Sequence, residues 1–263
     1  MNNQCIQEED ESIFYKIATE EFNSFVELQN KYCSFVAAYD ELMSHEFIKD
    51  IQEIFNINYC EYKYELPIST LYRARLVTDT NGIGKSEQFL GYDEKGSFVP
   101  PPNKCKAGRL NVAHVPYLYV SEDSDTAILE VRPRFQEEIS VAEIEINKPL
   151  NMLALTNRYN TKNQNYKAEA IKHLIDNKLS IPSSRYYEEL EYRPLQFIAN
   201  VIRNMGYDGI VYRSAMNIDT LNYCIFNYEH CKAVSSQIAI FTSADISSLI
   251  KYSRLETPKE NNQ

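Results

Sequence analysis

The first proline of this chain is Pro67 and its first glycine is Gly82, so everything before Pro67 runs without either backbone breaker. Proline removes an amide donor and glycine costs backbone entropy, and a stretch lacking both is free to stay helical. Within it apolar residues recur at helical spacing: Ile13 and Ile17, then Phe22, Phe25 and Val26, then Leu42, then Phe47, Ile48, Ile51, Ile54 and Phe55. Two or three helices are expected between Ile13 and Phe55, after a polar, acidic start over residues 1–12 that is expected to fray. Beyond Pro67 the texture changes to short β-like runs separated by Gly, Pro and Asn, which predicts a mixed sheet.

The runs place strands near 70–77, 117–121, 137–146, 151–155, 209–213, 222–227 and 236–242, with helices near 123–131, 165–178 and 194–205. The last helix has Pro194 near its expected first turn and Gly206 just past its end, the usual asymmetry of helix termini. Between about 81 and 108 lies a long connection with Gly82, Gly84, Gly91, Gly96 and the run Pro100-Pro101-Pro102, of the kind that carries function in a compact domain. The organisation expected is a helical region over 1–58, a sheet domain over 59–250 and a disordered tail over 251–263.

Charge and composition remove several classes of function. A net charge of −10 with no basic cluster argues against nucleic-acid binding, which needs a face that neutralises phosphates. No apolar run is long enough to span a membrane and no signal segment opens the chain, so a cytoplasmic location is expected. The six cysteines are scattered without C-x-x-C spacing, and the four histidines form no ligand pair, so no metal is expected.

Three separate strings carry chemistry: LYRAR at 71–75, GRLN…PYLYVS…AILEV between 108 and 131, and GYDGIVYRSA at 206–215. In a strand Arg73 and Arg75 share one face, either as solvated charges or with Arg73 gripping an anion, since a guanidinium fork matches paired oxygens. Arg109, after Gly108 in a loop, is a second candidate of that kind. Glu130 stands in an apolar run on a short helix capped near Ser121 or Asp123; it is either a boundary glutamate paired with Arg134 or a carboxylate held at a site. Tyr119 is either core or an aromatic surface for a flat ligand. Ser214 ends a strand at a loop, as a turn residue or as a hydrogen-bonding site residue. There is no G-x-S-x-G and no histidine placed to activate Ser214, which excludes a serine-hydrolase triad.

In this order the strings resemble the RES domain, a family named for its Arg, Glu and Ser. The resemblance implies an α+β, ADP-ribosyltransferase-like split β-core with flanking helices around an NAD⁺ cleft, here preceded by a helical N-terminal region as in the longer RES proteins. It implies Arg73, Arg109, Tyr119, Glu130 and Ser214 as the NAD⁺ site, with Arg73, Glu130 and Ser214 the catalytic set and NAD⁺ the substrate. The implied activity is cleavage of the nicotinamide–ribose bond by a glycohydrolase or phosphorylase, as a toxin of the toxin–antitoxin type. Alternatives are an ADP-ribosyltransferase and a non-catalytic nucleotide- or partner-binding module. Compact members pair with a proteinaceous antitoxin, and the N-terminal helices offer a second partner surface, for a homo-oligomer. Leu110 departs from the commoner aromatic at that place of the motif.

Overall fold

The computed structural model describes residues 2–31, 39–78, 82–84, 86–159, 165–181, 188–217 and 219–242. The tail expected over 251–263 lies outside them. Three helices open the chain: α1 (Asn2–Lys31), α2 (Tyr39–Met43) and α3 (Glu46–Ile54). Helix α1 begins at Asn2, which corrects the frayed start, because nothing in the opening residues breaks a helix that buries its later turns. Its buried residues Ala18, Phe22, Phe25 and Gln29 are spaced three or four apart and form one stripe. In α3 the fully buried Phe47, Ile48 and Ile51 do the same, and the His45 ring caps its start by accepting from the Phe47 amide at 3.3 Å.

Those stripes close on two later helices, α6 (Tyr166–Ser180) and α7 (Glu188–Asn204). Phe25 meets Phe47 and Phe197 of α7, with ring centroids 6.1 and 5.6 Å away, and α1 runs along α6. Lys167 of α6 pairs with Asp50 of α3 at 2.5 Å and with Glu21 of α1 at 4.0 Å. Burial raises the Glu21 pKa above its ordinary value, against the pull of Lys167. Helix α7 starts six residues before the expected Pro194, which lies inside it. The upstream residues Glu188–Arg193 are good helix formers, and an amide missing at Pro194 is tolerated where the following Leu195, Phe197 and Ile198 are buried.

The described residues form eight strands, β1 (Lys63–Leu66), β2 (Ser69–Leu76), β3 (Leu118–Ser121), β4 (Glu138–Ile146), β5 (Leu150–Ala154), β6 (Gly209–Arg213), β7 (Leu221–Ile225) and β8 (Cys231–Ile240). They form one mixed sheet in the order β1-β5-β6-β7-β3-β2-β4-β8, which makes the protein α+β as expected. Only β5 and β6 run parallel, and their crossover is supplied by α6 and α7. Strand β1 was not expected from the sequence, although Lys63-Tyr64-Glu65-Leu66 alternates exposed with covered residues. Strand β8 begins five residues earlier than the expected 236. The connection after β2 folds back on itself, with Gly84 donating to Gly91 at 2.7 Å, and then covers the edge of β8 through Leu90 and Ser236 at 2.8 Å.

Strands β2 and β4 pair along eight residues and β3 and β7 along four, but β2 and β3 meet only at Tyr72 opposite Ser121. The sheet therefore parts into β1-β5-β6-β7-β3 and β2-β4-β8, hinged at a single residue pair.

Candidate active site

Helix α5 (Ser124–Glu130) lies over that parting, seating Ala127, Ile128 and Val131 against Tyr72 and Ala74 of β2. Its start is fixed by Asp123, whose carboxylate accepts from the Thr126 amide at 2.8 Å and from the Thr126 hydroxyl at 2.9 Å. A helix of seven residues anchored in this way carries its last residue, Glu130, to the end of β3. There a cavity of about 390 Å³ opens, lined by Arg73, Arg109, Tyr119, Glu130, Arg132, Tyr212 and Asn222 among others.

The Glu130 carboxylate is held from one side. Its Oε1 accepts from Ser214 Oγ at 2.7 Å and from Asn222 Nδ2 at 2.6 Å. Asn222 is oriented in turn by Ser121, whose Oγ donates to Asn222 Oδ1 at 2.6 Å across the β3–β7 pair. Ser214 Oγ also accepts from the amides of Met216 and Asn217 at 3.0 and 3.1 Å, so its single proton is committed to Glu130. Two donors on one oxygen restrict the orientation of the carboxylate, and a preoriented charge is what electrostatic stabilisation of a developing cation needs. Ser214 is 3% exposed and stands behind Glu130 rather than on the cavity wall. Arg134 is exposed, and the partners of Glu130 are Ser214 and Asn222 instead.

The cationic side of the cavity is built differently. Arg73 donates to the Ser97 carbonyl at 3.2 Å, and its strand neighbour Arg75 donates to the Gly96 carbonyl while lying 4.9 Å from the Tyr92 ring centroid. Burial, and then Arg75, pull the Arg73 pKa down to about 9, so its positive charge is held at a cost. Arg109 donates to the carbonyl of Leu179 near the end of α6. Arg132 follows α5 with φ 49°, in the left-handed position beyond a helix end where glycine is usual, and it precedes Pro133. Among the described residues none of Arg73, Arg109 and Arg132 forms an ion pair with a carboxylate.

Tyr119 locks the loop that carries Arg109. Its hydroxyl accepts from the Leu110 amide at 3.1 Å and donates to Asn111 Oδ1 at 2.9 Å, and burial keeps its pKa well above the ordinary phenol value. Gln196 of α7 donates to the Gly108 carbonyl at 2.8 Å from the other side. A Cβ on Gly108 would sit 2.5 Å from Asn111 Oδ1 and 3.0 Å from the Tyr119 hydroxyl, so only glycine fits between them. His114 lies away from Glu130, with φ 69° and its ring against the Pro102 carbonyl at 3.0 Å.

The structure thus brings Arg73, Arg109, Tyr119 and Glu130 to one cavity and sets Ser214 behind it. Asn222, Ser121 and Arg132 were not expected. Asn222 had a legible signal: it is a polar residue in the fully buried strand LNYCI, and a buried amide needs partners. Arg132 had only its place before a proline.

A family model described as the RES domain matches residues 83–247, more than half of the chain. The chain belongs to the RES domain family. Arg109, Tyr119, Glu130 and Ser214 of this RES protein fall inside the match, and Arg73 lies ten residues before it. Among solved structures, the crystal structure of the M. tuberculosis MbcT–MbcA toxin–antitoxin complex is similar to this RES protein at 12% identity and a TM-score of 0.42. The similarity covers 72% of this chain and 91% of that chain. A comparison with curated proteins returns no match. No described helix of this RES protein is long and apolar enough to cross a membrane.

Proposed function

We propose that the protein cleaves the nicotinamide–ribose bond of NAD⁺. The observation that carries this reading is the charge pattern of one cavity: its lining holds one hydrogen-bonded carboxylate, Glu130, and three guanidinium groups that form no ion pair with a carboxylate among the described residues. Oxidised dinucleotide has the matching pattern, a cationic nicotinamide ribose at one end and an anionic diphosphate beyond it. Membership of the RES family supports the same reading.

In this scheme Arg73 and Arg109 hold the diphosphate with forked donors, and Arg132 adds a third. Tyr119 offers an aromatic wall. The bond from the ribose carbon to the nicotinamide nitrogen breaks with its electron pair leaving on nicotinamide, and the carboxylate of Glu130 stabilises the ribosyl cation. An acceptor then donates a pair to that carbon and loses a proton; with water the products are ADP-ribose, nicotinamide and a proton. Ser214 and Asn222 act through Glu130 and are positioning residues.

A toxin role, a cytoplasmic location, a proteinaceous antitoxin and self-association through α1, where Ile13 and Ile17 are exposed, belong to the same proposal. So does the division of the chain into 1–58 and 59–250. The testing experiment incubates the protein with NAD⁺, with and without phosphate and with cell lysate, and identifies products by mass spectrometry. Free ADP-ribose or its 1″-phosphate supports cleavage of free NAD⁺, labelled protein moves the assignment to ADP-ribosyl transfer, and intact NAD⁺ under all conditions overturns the proposal.

A further inference from the structure

Asp176 of α6 is 1% exposed and does not line the Glu130 cavity. Both of its oxygens go to one residue of β6: Oδ1 accepts from the Arg213 amide at 3.0 Å, and Oδ2 accepts from Arg213 Nε. Two more groups of α6 close on the same residue. Asn177 Oδ1 accepts from Arg213 Nη2 at 2.7 Å, and Ser180 Oγ donates to the Arg213 carbonyl at 3.0 Å. Strand β5 pairs with β6 only as far as Val211, so Arg213 has no strand partner on that side, and the end of α6 takes the place of one.

The residue after Arg213 is Ser214. The peptide that joins them is held at both ends, its oxygen by Ser180 Oγ and its N–H by the Thr220 carbonyl at 3.0 Å. That peptide sets where the Ser214 hydroxyl stands, and the hydroxyl donates to Glu130 Oε1 at 2.7 Å. Leu179, in the same turn of α6, gives its carbonyl to Arg109. The helix end is backed by α1, with Lys178 5.3 Å from the Phe22 ring centroid and Asn177 Nδ2 donating to the Tyr15 hydroxyl at 3.3 Å. A buried carboxylate is costly, and well-packed apolar residues in place of a buried ion pair are often as stable. The Asp176–Arg213 pair is then better explained by the geometry it imposes than by stability.

We propose that Asp176 and Ser180 are positioning residues of the reaction centre, which seat Ser214 so that its hydroxyl meets Glu130 Oε1. This inference rests on the role given to Glu130 in NAD⁺ cleavage, and one arm of its test needs no substrate.

The experiment compares the full-length protein, Asp176→Asn and Ser180→Ala, each with and without Ser214→Ala, in two measurements. The first is NAD⁺ cleavage. Asp176→Asn is expected to lower kcat about tenfold and Ser180→Ala about threefold, with KM little changed, since a misplaced support for the carboxylate costs rate rather than affinity. In the Ser214→Ala background neither substitution is expected to lower kcat further, because the residue they act through has lost its hydroxyl. The second measurement is amide hydrogen exchange by NMR without NAD⁺. The amides of Met216 and Asn217 donate to Ser214 Oγ, and they are expected to exchange about tenfold faster in both single variants, while those of β4 keep their wild-type rates. If a melting curve shows that Asp176→Asn does not fold, Ser180→Ala, which removes only a hydroxyl, decides alone. Unchanged exchange at Met216 and Asn217, faster exchange throughout the chain, a rise in KM at unchanged kcat, or an equal fall in kcat with and without the Ser214 hydroxyl would each overturn the proposal. Wild-type protein that leaves NAD⁺ intact would remove the cleavage reading, and the exchange rates would then decide whether α6 seats Ser214.

Discussion

The two sides of the cavity solve opposite problems. On one side Glu130 is enclosed by donors: Ser214 and Asn222 both reach the same oxygen, and Ser121 fixes Asn222. On the other, Arg73 and Arg109 donate to backbone carbonyls, and Arg132 has no ion pair among the described residues. A carboxylate held this way is ready before any ligand arrives, whereas guanidinium groups with no counter-charge among the described residues can take one from a ligand. In the proposed reading the first side does the chemistry and the second the binding.

That assignment can be broken first at the support of the carboxylate. Removing a charge-assisted hydrogen bond costs about 1.5–3 kcal/mol, so Asn222→Ala is expected to lower kcat for NAD⁺ cleavage by roughly ten- to a hundredfold with KM little changed. Ser214→Ala is expected to do the same, and the double variant to fall short of the product of the two, because both act on one oxygen. A rise in KM with unchanged kcat would place these residues in binding instead.

The cationic side gives the converse expectation. Arg109→Ala is expected to raise KM and weaken NAD⁺ binding by about 1.5–3 kcal/mol while leaving kcat near the wild-type value. For Arg73 the comparison sharpens through stability. Its folded-state pKa lies below the ordinary value, so the folded chain binds this proton less well than the unfolded one, and the charged group opposes folding at every pH below about 9. That penalty fades only as pH rises from about 9 toward the ordinary arginine value. Arg73→Met is therefore expected to raise the melting temperature at neutral pH while weakening NAD⁺ binding; a lower melting temperature would show that Arg73 supports the fold instead.

The smallest effect is expected at Arg132. A left-handed backbone at a residue other than glycine costs on the order of 1 kcal/mol, so Arg132→Gly should stabilise the protein by about that amount in denaturant titrations and weaken NAD⁺ binding. Weaker binding without a gain in stability would mean that the strain is absorbed elsewhere.

Much of this arrangement was legible because it rests on local rules. The Asp123 cap, the alternation of Arg73 and Arg75 against Tyr72 and Ala74, and the helical stripe of α3 all follow from residues close in sequence. What escaped was set by distant contacts. Helix α7 runs through Pro194 because its apolar face is buried against the N-terminal helices. Ser214 reaches Glu130 from behind although Tyr212 of the strand before it lines the cavity, and Asn222 meets Glu130 only through the β3–β7 register. The parting of the sheet at Tyr72 and Ser121 is likewise a property of strand order, which no single segment encodes.

The division of labour is tested most directly by Glu130→Gln, which keeps the size of the side chain and an acceptor for Ser214 while removing the charge. Turnover is measured as nicotinamide release and affinity by NAD⁺ titration of the same preparation. We expect kcat to fall by roughly a hundredfold to a thousandfold, the usual loss for one preorganised electrostatic group, with NAD⁺ affinity changed by about twofold or less. A folded Glu130→Gln protein that retains more than about a tenth of wild-type turnover, or that loses binding and turnover in equal measure, would contradict the role given to this carboxylate.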